Sequence, residues 1–472
     1  MLEYIKSFAQ NLSLEWEQDA MGNLCVRRPG SAGGENAPTV VIQGHVDMVC
    51  EKEMSHAHDF SKDSIKLEIK DDWLTAVGTT LGADNGLGVA AGLALLEMPS
   101  DVTLPPIEGL FTVQEEIGLV GAKALDGGIV KGRILLNLDA EDWPNIYVGC
   151  AGGGQTKISL SCGQEDLDGQ SYSPALLTVA GLTGGHSGAD IHKYLASAIK
   201  VMGRVLDQLV EGECCRVIQV NAGGQQHNVI PRECEARVLV KRGEMDALNQ
   251  RIEAVKKEFA LEYGVCEKSL QIELEVSETN GAALAGQSAL TREDQEKVLA
   301  LINLLPHGPI KFSHNIPGLV ETSNNIASIR MSPSSSEAGG AMECVLMCST
   351  RSSVNGAIET VRRQFRALAG LCGATITGNK PYPGWQPNLD SRILKCTLEE
   401  VTNQIGYKPK VTAIHAGLEC GIIGEKLDNC DMVAFGPTIL GAHTPQERVQ
   451  ISTVEPFWNL VLSVVQTVVK NY

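Results

Sequence analysis

Basic residues are in the minority in this sequence, and they form no clusters. The 472 residues include 39 Lys and Arg against 57 Asp and Glu, which gives a formal net charge of -18. A protein surface of this sign repels the phosphates of nucleic acids and the headgroups of anionic lipids. We therefore expect neither a nucleic acid nor a membrane surface as a partner.

The sequence also lacks a long hydrophobic run and a secretion signal. No stretch approaches the roughly 18 consecutive apolar residues of a membrane-spanning helix. Residues 1–19 form an acidic amphipathic stretch without the basic flank and the small-residue cleavage site of a signal peptide. The 14 cysteines are scattered and form neither paired CxxC motifs nor a dense disulfide framework. These absences favour reduced thiols and a cytoplasmic location.

The first third of the chain contains apolar segments with little polar alternation. VVIQG (40–44), IEGLFTV (107–113) and RILLNL (133–138) are rich in branched apolar residues. Such segments are typical of strands that are buried on both faces of a mostly parallel sheet. NGLGVAAGLALLEM (85–98) is apolar on almost every face, which predicts a buried helix.

The last third has the same character. DMVAFG (431–436) predicts another buried strand, and FWNLVLSVVQTVV predicts a terminal helix. Ser452 and Glu455 precede that helix with the spacing of a capping box. We therefore expect these two side chains to bond to the backbone of its first turn.

Residues 153–377 differ from both ends of the chain. Their strand candidates alternate apolar and polar residues, and amphipathic helices lie between them. The segments 233–259 and 343–365 resemble one another as a strand, a turn and a helix, and one interpretation is an internal duplication. The simplest architecture is an α/β domain with a mostly parallel sheet, formed by residues 1–152 and 378–472. An α+β domain, residues 153–377, is then inserted into it.

Ionisable side chains follow the apolar strands of the first third at the point where each strand ends. Loops at the carboxyl ends of parallel strands gather in one crevice, where such folds bind ligands. Side chains that are far apart in the chain are therefore expected to converge there. They are His45 and Asp47 after the first strand, Asp84 in a Gly-rich turn, Glu115 and Glu116 after the second strand, and Asp139 after the third.

Several carboxylates in one crevice require a compensating positive charge, because like charges at close range raise one another's pKa values. Lys123 and Arg133 are the nearest basic residues in the sequence. A divalent metal is the simpler source of charge, and mixed imidazole and carboxylate ligands suit zinc, manganese or cobalt. Taken singly, each acid is also compatible with a solvated turn or a helix cap, as is the cluster of Asp139 with Glu141 and Asp142.

Four motifs of the first third, GHVDMV, GTTLGADNGLG, TVQEEIG and LNLDAED, occur in an order and spacing that resemble a known family. They are similar to the catalytic domain of metallopeptidase family 20, in particular its aminoacyl-histidine dipeptidase branch. The resemblance spans almost the whole chain and rests on long and unusual motifs. It continues through GCAGGG, LTGGHSGADIH, HNVIPRE, STRSS, PGWQPNLDS, HAGLECG and LGAHTPQERV.

The resemblance implies a hydrolase with two divalent metal ions. Zn²⁺ is the expected ion, and Co²⁺ and Mn²⁺ are the alternatives. Asp84 would bridge the two ions, and the peptide bond that follows it would be cis. The remaining ligands would be His45, Glu116, Asp139 and His443. The resemblance also implies further residues ahead of Met1 that carry no catalytic side chain.

The same resemblance implies the catalytic roles. Glu115 would be the general base, which takes a proton from a metal-bridging water and later delivers it to the leaving amine. Asp47 shares a face of the chain with His45. Its carboxylate is expected to fix the ring of that ligand and to raise its basicity.

The resemblance also implies that the inserted domain acts as a lid that holds the substrate. His186 would stabilise the oxyanion, and Asn228 and Arg351 would bind the substrate, Arg351 through the C-terminal carboxylate of a dipeptide. Gly417 would make a backbone contact to the substrate from the catalytic half. Two alternatives stay open: His186 as a turn residue, and Arg351 paired with Glu233.

These features favour a cytoplasmic zinc dipeptidase that cleaves unblocked dipeptides, including Xaa-His substrates similar to carnosine. An N-acyl-amino-acid deacylase of the same fold is the alternative enzyme, and a catalytically inactive metal-binding relative is the alternative outside enzymes. A dipeptide is therefore the expected partner. Both a monomer and a homodimer are compatible with the sequence.

Overall fold

The computed structural model describes residues 1–224, 226–277, 288–334 and 341–472. The chain forms two compact units. The terminal unit consists of Met1–Ala151 and Tyr382–Tyr472, and the inserted unit consists of Gly152–Pro381. Each unit has a large sheet and a hydrophobic core of its own.

The large sheet of the terminal unit is parallel at its centre. Val40–His45 lies between two strands that run in the same direction. All of its residues are buried, as expected for a strand that is covered on both faces of the sheet. In order across the sheet, the strands are Glu15–Gln18, Leu24–Arg28, Ile107–Thr112, Val40–His45, Ile134–Asn137, Asp431–Ala434, Ile146–Cys150 and Val411–Ile414.

Helices and a small antiparallel sheet complete the terminal unit. The predicted buried helix is confirmed as Ala83–Glu97, which buries residues on most of its circumference. The small sheet contains Ile439–Leu440, Arg448–Gln450, Trp73–Ala76 and Leu67–Lys70, in that order. The other helices are Leu2–Asn11, Val120–Ala124, Arg392–Ile405, Glu419–Lys426 and Val454–Asn471, with 3₁₀ turns at Gly127–Ile129 and Ile451–Thr453.

The predicted capping box at Ser452 and Glu455 is wrong. The last helix, Val454–Asn471, begins after Thr453, and in this described part of the chain no side chain caps its first turn. The Ser452 hydroxyl instead donates a hydrogen bond to the Asp72 carboxylate, which also accepts one from the Ser452 amide. A tertiary contact has replaced the local one.

The large sheet of the inserted unit is antiparallel. Val320–Pro333 pairs with Met342–Ser352 from Thr322 to Pro333. In order, the sheet contains Gln271–Val276, Tyr172–Ala180, Cys234–Lys241, Cys215–Ala222, Val320–Pro333, Met342–Ser352, Gly152–Cys162 and Thr375–Gly378, and Gly308–Phe312 pairs with Val320–Pro333. Short strand pairs join Gln164–Asp166 to Ser288–Leu290 and Gly185–His186 to Val229–Ile230.

Helices pack against the sheet of the inserted unit to form its core. Val205, Leu248, Val298 and Phe365 each come from a different helix, and all four belong to one buried cluster with strand residues. The two segments that resemble one another in sequence each fold as a strand followed by a helix. The helices are Ala198–Glu211, Met245–Tyr263, Arg292–Leu304 and Asn355–Cys372, with a 3₁₀ turn at Ile191–Lys193.

The predicted fold class is confirmed. The terminal unit is an α/β structure with a mostly parallel sheet, and the inserted unit is an α+β structure with an antiparallel sheet. All 14 cysteines lie in the described part of the chain and are free thiols. None of the helices in the described residues combines the length and the apolar character needed to cross a membrane.

Candidate metal centre

His45 ends the middle one of three adjacent parallel strands in the terminal unit. Beyond the ends of the other two strands, at the same edge of the sheet, the chain carries acidic residues. This is the convergence that the strand-end pattern predicted, because parallel strands place their carboxyl ends together. The acids beyond the ends of the three strands are Asp47, Glu115, Glu116 and Asp139.

Asp84 reaches the same place from the start of a helix. Gly82, with a φ of 74°, precedes the helix Ala83–Glu97 in a left-handed conformation that favours glycine. Asp84 and Asn85 depart from helical backbone angles, and the peptide bond between them is cis, as the resemblance implied.

The two carboxylate oxygens of Asp84 contact two different histidines. Oδ1 lies 3.0 Å from His45 Nε2, and Oδ2 lies 3.2 Å from His443 Nε2. His45 Nε2 also lies 3.3 Å from Asp139 Oδ1, and His443 Nε2 lies 2.9 Å from Glu116 Oε2. All five predicted ligands therefore form one cluster, with Asp84 shared between a His45–Asp139 side and a His443–Glu116 side.

The cluster fits a metal by the chemistry of its donors. His45, Asp84 and Glu116 each offer a ligand atom, and these atoms lie within 4.8 Å of one another. Glu116 Oε1 is buried and has no hydrogen-bond partner among the described residues. Buried acceptor atoms that lack a donor are costly unless a cation or another donor satisfies them. Imidazole and carboxylate groups together are the ligand set of zinc and related ions.

The electrostatics of the cluster also favour positive charge. Contacts with Asp84 and Glu116 raise the pKa of His443 to about 10. Burial alone would lower the pKa of His45, but the carboxylates of Asp139, Asp47 and Asp84 raise it far above its usual value. No Lys or Arg in the described ranges forms an ion pair with the clustered acids. The site thus concentrates negative potential where the ligand atoms meet.

Glu115 stands apart from the ligand contacts. Its carboxylate lines a cavity of about 220 Å³ together with His45, Asp84, Asp139 and His443. Burial, and next the charge of Asp139, raise the pKa of Glu115 to about 9. A carboxylate beside the ligands but outside their contacts stands where a general base would be needed.

Asp47 contacts the His45 ring through both its backbone and its carboxylate. The His45 Nδ1 lies 3.0 Å from the main-chain oxygen of Asp47 and 3.6 Å from its carboxylate. The carboxylate also accepts hydrogen bonds from the backbone amides of Glu115 and Glu116, both at 3.1 Å. Asp47 therefore orients the ring, and its side chain also holds the segment of the adjacent glutamates.

Glu141 lines the same cavity and was not among the predicted site residues. In the sequence it lies in LNLDAED, where an acidic cluster is equally typical of a solvated loop. Burial, followed by the charges of Asp84 and Asp139, raises the pKa of Glu141 to about 8. Its proximity to the strand ends is the only sequence signal that separates it from a surface acid.

A buried polar network lies behind the cluster. The Glu419 side chain is fully buried and accepts hydrogen bonds from Gln43 Nε2 at 2.6 Å and Thr112 Oγ1 at 2.5 Å. Gln43 also accepts a bond from Asn137 at 2.6 Å. Gln43, Thr112 and Asn137 belong to the three parallel strands whose ends carry ligands, so the network ties these strands together.

Gly417 follows a strand of the same sheet and lines the cavity. A Cβ atom at this position would lie 3.2 Å from Leu119 and 3.4 Å from the ring of Tyr382. These distances leave little room for a side chain, so glycine keeps the backbone open towards the cavity.

The predicted substrate-binding residues of the inserted unit lie near one another within that unit. Gly185–His186 pairs with Val229–Ile230, and the amide of Ser187 donates to the main-chain oxygen of Asn228 at 2.8 Å. Nδ1 of His186 accepts hydrogen bonds from the backbone amides of Gly188 and Ala189.

Arg351 is close enough to His186 for its charge to act on that ring. Burial, and next the positive charge of Arg351, lower the pKa of His186. Arg351 is buried, and its Nε has no hydrogen-bond partner within the described residues. Within the described residues, Arg351 and Glu233 do not form the ion pair that was the alternative.

Comparison with known proteins agrees with this fold. The family model described as peptidase family M20/M25/M40 matches residues 41–467. The chain is 36% identical over 468 residues to the cytosol non-specific dipeptidase of Escherichia coli (strain K12), which covers 99% of this chain and 93% of the relative.

Solved structures give the same result. The crystal structure of aminoacylhistidine dipeptidase from Vibrio alginolyticus superposes with a TM-score of 0.89 at 34% identity, over 99% of this chain and 92% of that chain. An aminopeptidase PepT from Bacillus cereus superposes with a TM-score of 0.57 at 17% identity, over 99% of this chain and 92% of that chain, and thus shares the fold.

Fold and site together define a peptidase of the metal-dependent α/β class. The chain belongs to peptidase family M20/M25/M40.

Proposed function

We propose that the protein is a cytoplasmic metallo-dipeptidase that hydrolyses unblocked dipeptides, including Xaa-His substrates. The observation that carries the proposal is the Asp84 carboxylate, which is shared between His45 and His443, with Glu115 beside this cluster in the same cavity. The relatives named as a cytosol non-specific dipeptidase and an aminoacylhistidine dipeptidase support the substrate class and the location.

Two divalent ions, Zn²⁺ or alternatively Co²⁺ or Mn²⁺, would be held by the five clustered side chains. His45 and Asp139 would hold one, Glu116 and His443 the other, and Asp84 would bind both. When bound, such a pair of ions supplies Lewis-acid stabilisation of developing negative charge and activates water for attack.

Glu115 moves the proton in this proposal. It accepts a proton from the attacking water as the water oxygen bonds to the peptide carbonyl carbon. It then donates that proton to the amine nitrogen as the C–N bond breaks. The position of Glu115 on the cavity wall, outside the ligand contacts, supports this role.

His186 is a suitable donor to the oxyanion. Its Nδ1 accepts two backbone hydrogen bonds, so the neutral ring carries its proton on Nε2 and donates from there. Burial and the neighbouring Arg351 lower the pKa of His186, which keeps the ring neutral. Hydrogen bonds aimed at a developing oxyanion are among the strongest contributions to such chemistry.

Arg351 and Asn228 would bind the C-terminal part of the substrate. The buried guanidinium of Arg351 has an unpartnered Nε, so it has a free donor for a carboxylate. A bidentate pair between an arginine and a carboxylate is both strong and directional. Gly417 would add a backbone contact on the cavity wall of the terminal unit.

The acidic character of the cavity favours a dipeptide over an N-acyl amino acid. Among the described residues that line it, none is a Lys or an Arg, and Glu141 adds a carboxylate beyond the ligands and Glu115. A protonated amine is attracted to such a wall, whereas an acyl group is not. We therefore assign Glu141 to the free amino group of the substrate.

The test compares a dipeptide such as Ala-His with its N-acetylated form, using protein depleted of metal and then reloaded with zinc. We expect turnover only after reloading, and at least about tenfold faster for the free dipeptide, which corresponds to about 1.4 kcal/mol. Faster turnover of the acetylated form would establish the deacylase instead. Absence of turnover of both forms would point to an inactive relative.

Two single variants separate the role of Glu141 from a general charge effect. Glu141→Gln should raise KM for the free dipeptide and reduce the preference over the acetylated form. The adjacent Asp142 is exposed, and Asp142→Asn should leave that preference unchanged. An unchanged preference in Glu141→Gln would remove this residue from amine recognition without affecting the dipeptidase proposal.

A further inference from the structure

Glu447 binds the backbone that leads into the bridging ligand. Its side chain is buried, with only 2% of the residue exposed. Oε2 accepts hydrogen bonds from the amides of Leu81 at 2.6 Å and Gly82 at 2.9 Å. Oε1 accepts hydrogen bonds from the amides of Ala83 at 2.8 Å and Asp84 at 3.3 Å. One carboxylate thus satisfies four consecutive amides.

These four amides lie just before and at the start of the helix Ala83–Glu97. The first amides of a helix lack intrahelical partners and form the positive end of the helix dipole. The helix Ala83–Glu97 begins irregularly, since Asp84 has a ψ of 106° and Gly82 has a positive φ. The local backbone pattern therefore does not determine the path of this segment, and a carboxylate from a distant part of the chain holds it.

Glu447 lies in the same short loop as His443. The loop connects the paired strands Ile439–Leu440 and Arg448–Gln450. Within it, the amide of Glu447 donates to the main-chain oxygen of Thr444 at 3.0 Å. The Glu447 main-chain oxygen accepts a bond from the Thr75 hydroxyl at 3.1 Å, which anchors the loop to the small sheet.

We propose that Glu447 is a positioning residue of the metal centre. It fixes the backbone of Asp84 against the loop that carries His443, so that Asp84 Oδ2 and His443 Nε2 meet at 3.2 Å. It does not contact the ligand atoms itself. Its loss should weaken metal binding, because two ligands from distant parts of the chain would no longer be held in register. The inference rests on the metal centre of the proposed function.

A buried carboxylate that accepts backbone amides could also serve stability alone, and the chain offers a matched control for that role. Glu108 is equally buried, with 2% of the residue exposed, and belongs to the same unit. It accepts hydrogen bonds from the amides of Lys131 and Gly132 and from the side chain of Arg27. It lies near the start of the strand Ile107–Thr112, whereas the ligands follow the other end.

The experiment measures zinc affinity of the full chain by competition with a fluorescent chelator, together with the rise in Tm on adding zinc. Glu447→Gln keeps the shape of the side chain but replaces one acceptor oxygen by an amide donor. Loss of a residue that orients ligands typically weakens metal affinity about 10-fold to 100-fold. We expect a loss of this size in Glu447→Gln and a smaller rise in Tm.

Glu108→Gln should lower the Tm of the metal-free chain but leave zinc affinity within about twofold of the wild type, since the change lies away from the ligands. Wild-type affinity in Glu447→Gln, or an equal loss in both variants, would overturn the positioning role. If Glu447→Gln does not fold, Glu447→Asp, which keeps the charge but shortens the reach, is measured in the same way with the same two outcomes. Absence of zinc binding by the wild type would reject the proposed function itself.

Discussion

Asp47 Oδ1 accepts a hydrogen bond from the backbone amide of Glu115 at 3.1 Å, although the two residues are 68 positions apart in the chain. The other oxygen of the same carboxylate makes the equivalent bond to the amide of Glu116. One side chain thus fixes the backbone position of both the proposed general base, Glu115, and a proposed ligand, Glu116. Because the backbone of Glu115 and Glu116 is held in place, these adjacent side chains can have different roles.

The adjacent glutamates should be separable by mutation. Glu115→Gln should reduce kcat by about 10²-fold to 10⁴-fold, the usual contribution of a general base, while metal content stays near that of the wild type. Glu116→Gln should lose metal as well as activity, because it removes a ligand oxygen. Metal analysis by atomic absorption and steady-state kinetics on the same samples distinguish the two. Substantial residual activity in Glu115→Gln would contradict its role.

Asp47→Asn should impair turnover without removing a ligand. The new amide group places a donor against a backbone N–H, so at least one of the two bonds to the glutamate segment is lost. We expect kcat to fall about 10-fold to 100-fold at saturating zinc, in the range typical of residues that orient a metal site. Full activity in this variant would show that the glutamate segment holds its position without the Asp47 carboxylate.

Arg351→Ala should act on substrates with a free carboxyl terminus. Hydrogen bonds to charged groups contribute about 1.5–3 kcal/mol, so KM for a free-acid dipeptide should rise by about one to two orders of magnitude. The matching C-terminal amide should be affected much less. Arg363, an exposed arginine of the same unit, provides a surface control as Arg363→Ala. Equal effects on acid and amide substrates would argue against a carboxylate-binding Arg351.

His307 should make stability depend on pH through the inserted unit. Its Nδ1 accepts a hydrogen bond from the Ile326 amide, its Nε2 is buried without a partner among the described residues, and burial lowers its pKa from 6.5 to about 3. Between those values the unfolded chain binds a proton that the folded chain does not. Stability from this group is therefore present above about pH 6.5 and is lost as pH falls towards 3.

His307→Gln removes this titration. The difference in free energy of unfolding between the wild type and the variant should change by up to about 1.4 kcal/mol per pH unit below pH 6.5. Urea unfolding at several pH values measures it. A difference that stays constant from pH 7 to pH 4 would show that His307 takes up a proton in the folded state.

Much of the site could be predicted because it follows from strand ends. His45, Asp139 and the glutamates at 115 and 116 come directly after apolar strands, and a parallel sheet brings such ends together whatever their separation in sequence. Asp84 could be expected in the same crevice from its place in a Gly-rich turn, but its bridging role came only from the resemblance. His443 could be predicted only from the resemblance, because it does not follow a strand of the large sheet.

The contacts that hold the site could not be predicted. Glu447 and Asp47 act through hydrogen bonds to backbone amides far away in the chain. Because nearly every residue type has a backbone amide, the sequence does not show which amide a carboxylate will bind. The misassigned cap at Ser452 has the same cause, since Asp72 outcompetes the local partner. Glu141 was missed because its acidic neighbours are as typical of a solvated loop as of a cavity wall.

The order of the ligands along the chain has a consequence for biosynthesis. All of Gly152–Pro381 separates Asp139 from His443. A ribosome releases the N-terminal part first, at roughly 5–20 residues per second, so a nascent chain presents the acidic edge of the sheet well before the second histidine emerges. The proposed set of five ligands is therefore complete only after the C-terminal part has been translated.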